Sequence, residues 1–181
     1  MHTRSGIALV PAIAGVVAGV TVLNRFGVIP LRDLAATPQA VGEGREWLLL
    51  TSAFVADRPA VPSILGFTIV GLAALALCGS RVVWTTATTG HLLATVVVYG
   101  VLDAARVTVS RPDYGTSAVI AAWIGAIAYD VWRRGSGLGA LGLCVVAASV
   151  GWLFRPELDI LDTEHAVAFA SESRSPRGCP G

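Results

Sequence analysis

Long apolar runs at 6–23, 62–79, 82–102, 115–132 and 138–154 constrain this chain more than any other feature. Each is close to the roughly 20 residues that a helix needs to cross about 30 Å of hydrocarbon. Inside a bilayer the backbone has to satisfy its own hydrogen bonds, so runs of this kind predict helices. The rest of the composition agrees, with 54% hydrophobic and 14% charged residues and a mean hydropathy of +0.69. A soluble domain of this size carries more charge.

The first run follows His2 and Arg4, as a signal peptide would. At about 18 residues it is longer than a usual signal core, and it reads as a retained first helix. The links Gly79–Arg81 and Arg133–Gly137 are so short that the helices they join must be antiparallel neighbours. The longest connection, 24–60, holds Pro30, Pro38, Gly42, Gly44 and an apolar patch from Trp47 to Val55. That patch is too short to span, so it is expected to lie in the interface or to re-enter.

Arginine supplies all thirteen basic residues, and the formal charge is +1. With the amino terminus inside, Arg4, Arg81, Arg133, Arg134, Arg174 and Arg177 are cytoplasmic, in short segments. Arg25, Arg32, Arg45, Arg58, Arg106, Arg111 and Arg155 then lie outside, and arginine density favours this orientation. Trp84, Trp132 and Trp152 fall near run ends, as interface anchors do. A multi-pass protein of a bacterial inner membrane is the expectation, with the lipid bilayer as its surroundings. No basic stripe is present, so nucleic acid is not an expected partner. Cys78, Cys144 and Cys179 lack metal-ligand spacing and read as packing residues, not as a disulfide or zinc framework, and neither a metal nor a cofactor is expected.

Small residues recur at helical spacing: Thr86, Gly90 and Ala94 on the third run, Ser117, Ala121, Gly125 and Ala128 on the fourth, Ala140, Cys144 and Ala148 on the fifth. Such stripes let backbones approach closely, which predicts a compact bundle.

Few polar groups lie at membrane depth. Gly115, Thr116 and Ser117 open the fourth run, and a glycine followed by hydroxyl residues marks a helix amino terminus. Thr116 or Ser117 either caps that helix or supplies a serine nucleophile close to the outer membrane surface. Asp130 precedes Trp132, Arg133 and Arg134 and reads as structural, at the cytoplasmic interface. His165 follows Asp162, Thr163 and Glu164 at the start of the last apolar stretch, which also begins on the outer side. By parity of crossings it shares the depth of Ser117 and can act as its base, or it caps a helix. His91 lies near the middle of 82–102, about 15 Å from either end at 1.5 Å per residue. It is expected too deep to serve Ser117 and is read as a polar residue bonded across a helix interface.

Three pieces together resemble the rhomboid family of intramembrane serine proteases: Trp47–Phe54 before the second long helix, Gly115–Ala118 at the start of the fourth, and His165–Ala168 in the sixth position. They occur in the family's order over most of the chain. The resemblance implies an all-α, polytopic membrane helix bundle of rhomboid-like architecture, with five full transmembrane helices and a short or truncated sixth. That domain would occupy 1–171, with a polar tail at 172–181. It further implies a Ser117 nucleophile and a His165 base, with Gly115 at the turn and an oxyanion donor at the Ser117 amide. It also makes Gly90–His91 a characteristic piece of the third helix, with His91 a candidate accessory residue. The implied partners are the transmembrane segments of other proteins, as substrates. The family's His-x-x-x-Asn pattern at the start of the second helix is absent from Val61–Gly66, and the glycine after the serine is replaced by Ala118. Only 166–170 are continuously apolar after His165, too few to span. A second reading therefore stands beside the first: a catalytically inactive rhomboid-like protein that binds transmembrane partners.

Overall fold

The computed structural model describes residues 5–56, 59–107, 112–113, 115–154 and 166–169. Its described residues form helices α1 (Ser5–Arg25), α2 (Pro38–Gly42), α3 (Leu48–Thr51), α4 (Ala60–Cys78), α5 (Ser80–Ala104), α6 (Gly115–Arg133) and α7 (Gly137–Phe154). Short 3-10 turns occupy Leu31–Asp33 and Ser52–Phe54, and residues 166–169 form one further helical turn. No strand occurs among the described residues; the only β contact there is an isolated bridge between Ala36 and Asp113. The expected all-α bundle is therefore observed.

Four helices, in α1, α4, α5 and α6, are long and apolar enough to cross a membrane. In α7 the described apolar stretch, Gly137–Ser149, is shorter than a span. Each long helix overlaps its apolar run with ends displaced by two residues or fewer. The close match follows from length: Pro11 and Asp130 apart, the interiors of the runs hold neither charge nor a turn signal at which a helix would stop.

Chain reversals fall where glycine can take a left-handed backbone. Gly79 has φ 82° between α4 and α5, and Gly135 has φ 88° between α6 and α7. A side chain is disfavoured in that conformation. The paired helices pack against each other as their short links required.

The bundle is organised around α6, which packs on α4, α5 and α7, while α1 lies outside against α4. Of the α6 span 61% is buried, against 22% for α4. Small residues are the reason. Ala118, Ala122, Gly125, Ala126 and Ala128 are buried, so neighbouring backbones approach α6 on several faces. The inner layer is closed by Trp123, which is fully buried, lies 4.8 Å from the Phe67 ring and donates its indole N–H to the Val83 carbonyl at 2.9 Å. A Cβ added to Gly71 would come within 2.7 Å of that indole, so the glycine is what lets α4 reach it.

Asp130 is buried at the far end of α6 and pairs with Arg134 at 2.7 Å, one turn on, in keeping with a structural role. Cys78 packs in the core and is disulfide-bonded, so packing alone does not describe it; Cys144 is free. The polar tail 172–181 lies outside the described residues.

Candidate functional site

The stretch between α1 and α4 folds into a small cap on the C-terminal part of α5. Ala36, Ala40 and Leu48 bury themselves against Val98, Tyr99 and Leu102. Thr37 caps α2 by accepting the Ala40 amide at 3.1 Å, and the Thr51 hydroxyl donates to the Leu34 carbonyl at 2.9 Å. Trp47, Leu50 and Phe54 point outward from the Trp47–Val55 patch, as a segment lying along an apolar medium would present them.

Below this cap α6 begins. Gly115 is its first residue, so Thr116 and Ser117 stand inside the first turn and not at the cap position. The Thr116 hydroxyl is fully buried and donates to the Val55 carbonyl at 2.9 Å, which replaces the expected capping role with a tertiary bond. Ser117 is only half-buried, between the buried Thr116 and Ala118. Its amide belongs to the first turn, whose N–H groups have no acceptor within the helix and carry the positive end of the helix dipole.

The depth assigned to His91 is corrected. Its imidazole is buried against Gly115: a Cβ on that glycine would fall 2.8 Å from Nε2, and 2.9 Å from the Ala53 Cα. His91 is thus level with the start of α6, two residues from Ser117. Depth counted from helix ends holds only where neighbouring helices end level. In the structure α5 runs on to Ala104, 13 residues past His91 or about 20 Å at the helical rise, before the chain returns to begin α6. Asp113 is drawn inward on that return, its amide bonding the Ala36 carbonyl at 2.8 Å and its carboxylate accepting from the Tyr99 hydroxyl at 3.4 Å.

The other half of the His91 expectation holds, since it is bonded across an interface. Nε2 lies 2.7 Å from the Leu49 carbonyl and 3.4 Å from the Ser52 hydroxyl. A carbonyl only accepts, so Nε2 carries the proton. Ser52, whose own hydroxyl donates to Leu49 at 3.3 Å, therefore finds no base in His91. Ser52 and Asp113 were not singled out from sequence, and Thr116 only as a helix cap. Ser52 was visible as a hydroxyl within an apolar patch, and Asp113 carried no local signal.

His165 lies outside the described residues. The turn that follows it, 166–169, packs on the Ser117 side of α6: Ala168 is fully buried with Ala94, Ala118 and Ala122, and Val167 and Ala121 lie against the same cluster. Gly125 faces the Phe169 backbone, and a Cβ added there would fall 2.6 Å from the Phe169 carbonyl oxygen, so the glycine leaves room for it. At the start of α4 the Ser63 hydroxyl donates to the Pro59 carbonyl at 3.2 Å. No group of three or more His, Cys, Asp or Glu side chains suited to a metal occurs among the described residues.

No protein-family model, curated protein or solved structure matches this chain.

Proposed function

We propose that this protein is a rhomboid-like intramembrane serine peptidase that cuts transmembrane segments of other proteins, with Ser117 as nucleophile and His165 as base. The observation that carries the reading is the packing of 166–169 against Ala118, Ala121 and Ala122, which brings the chain next to His165 alongside the turn that bears Ser117. A serine attacks a carbonyl only when a base takes its proton, and the base must come within hydrogen-bond reach. In this reading His165 removes the Ser117 proton as the hydroxyl adds to the scissile carbonyl, then returns it to the departing amine. The Ser117 amide and the amino end of α6 face the developing oxyanion. The reading takes the bundle to have five full crossings with a short sixth, in a bacterial inner membrane with the amino terminus inside.

The start of α4 favours a second reading. Its one hydroxyl near the helix start, Ser63, is bonded to Pro59, and Val61–Gly66 offers no His or Asn side chain. Loss of one oxyanion donor costs about a hundredfold or more in rate. An inactive protein that holds transmembrane partners through small-residue faces fits that lack.

A serine-directed fluorophosphonate separates the two. The peptidase reading expects covalent labelling of the purified protein, abolished in Ser117→Ala and weakened in His165→Ala. Equal labelling of all three proteins, or none of the wild type, rules it out.

A further inference from the structure

The imidazole of His91 is held between two pieces of chain. On one side is the Leu49 carbonyl, which takes the Nε2 proton at 2.7 Å and the Ser52 hydroxyl at 3.3 Å. On the other is Gly115, whose bare Cα lies so close that a methyl group there would collide with the ring. The same segment is tied at its far end, where Thr116 donates to Val55 at 2.9 Å. Residues 48–55 are thus fastened to the α6 amino terminus at both ends, once through His91 and once directly.

The second ring nitrogen sharpens the point. Nδ1 is buried and has no hydrogen-bond partner among the described residues. A buried polar atom left unpaired is a cost that structures ordinarily avoid. What the ring contributes is its other nitrogen, bonded to the Leu49 carbonyl, and its flat edge against Gly115. Phenylalanine would supply the edge without the donor, and glutamine the donor without the ring.

We propose that His91 is a positioning residue, latching the outward-facing segment 48–55 to the first turn of α6 and so fixing how Ser117 is presented. The role rests on the peptidase reading of Ser117. It ties the nucleophile to a segment whose Trp47, Leu50 and Phe54 are exposed, so that a change in that segment's seating is felt two residues from the serine.

Full-length protein in detergent, with His91→Phe and His91→Gln, tests this with two readouts. Amide hydrogen exchange over 48–55 should rise about tenfold in His91→Phe, the loss of one buried hydrogen bond, while α4 is unchanged. The fluorophosphonate labelling rate should fall at least as far, and His91→Gln should return both towards wild type. Unchanged exchange in His91→Phe overturns the latch. Faster exchange with an unaltered labelling rate overturns the positioning role. Failure of the peptidase reading is distinct from both, because there the wild type takes no label, and the positioning role then falls with it.

Discussion

At the scale of single residues, two contacts around α6 carry consequences that can be measured. Gly71 leaves room for the buried Trp123 indole, and Val10 closes the same space 3.0 Å from where a Cβ would be. Because Trp123 is bonded to Val83 and packed on Phe67, it has no cheap way to move. Gly71→Ala is expected to destabilise the bundle by about 1–3 kcal/mol, the usual cost of overpacking. A lowered unfolding midpoint in detergent would show it. Thr116 makes a different kind of contact, a donor to a carbonyl 61 positions away in sequence. Thr116→Val keeps the shape and leaves the Val55 carbonyl unpaired, so a loss of about 1–3 kcal/mol is expected, read by the same midpoint. Nothing local in the sequence identified that bond. A hydroxyl beside a glycine at a helix start reads first as a cap, and only the path of the distant segment turns it into a tertiary donor.

Among the elements, the long helices were legible because the bilayer requirement is itself written as length. The apolar run 62–79 became Ala60–Cys78, and 115–132 became Gly115–Arg133. The stagger between helices was not legible. His91 stands mid-helix and Gly115 at a helix start, yet the two touch, because position along one helix says nothing about where its neighbour begins. The turn 166–169 was equally hidden, being far too short to span and yet fully engaged through Ala168. Its seat depends on Gly125, where a methyl group would meet backbone atoms of Phe169 that cannot rotate away. Gly125→Ala is therefore expected to displace the turn. If this turn aligns the base with Ser117, fluorophosphonate labelling should drop by about ten- to a hundredfold, the effect of an ångström-scale misplacement. Labelling at the wild-type rate would separate the turn from the chemistry.

Across the described residues as a whole, the arrangement is a central small-residue helix, α6, packed by α4, α5 and α7, with a cap segment over its amino-terminal end. Candidate polar groups gather at that end: Ser52, His91, Asp113 and Thr116 are all buried there, whereas Asp130 and Arg134 form an ion pair at the other end of α6. The orientation proposed from arginine density would put the polar end on the extracytoplasmic side. Reporter fusions in the α4–α5 and α6–α7 links are accordingly expected to report cytoplasm, and a fusion in the α5–α6 connection the opposite side. The reverse pattern would invert the topology and put Ser117 at the cytoplasmic face.

The central claim is that the Ser117 hydroxyl and the His165 imidazole meet. It is tested most directly by thiol cross-linking of a Ser117→Cys, His165→Cys protein, carrying alanine at Cys78, Cys144 and Cys179, in native membranes. A short ethylene-bridged bis-thiosulfonate should join the two positions within one chain, and should fail when the second cysteine is moved to Leu138 at the far end of the bundle. Both introduced cysteines reacting singly with the reagent, with no cross-link between them, would contradict the account.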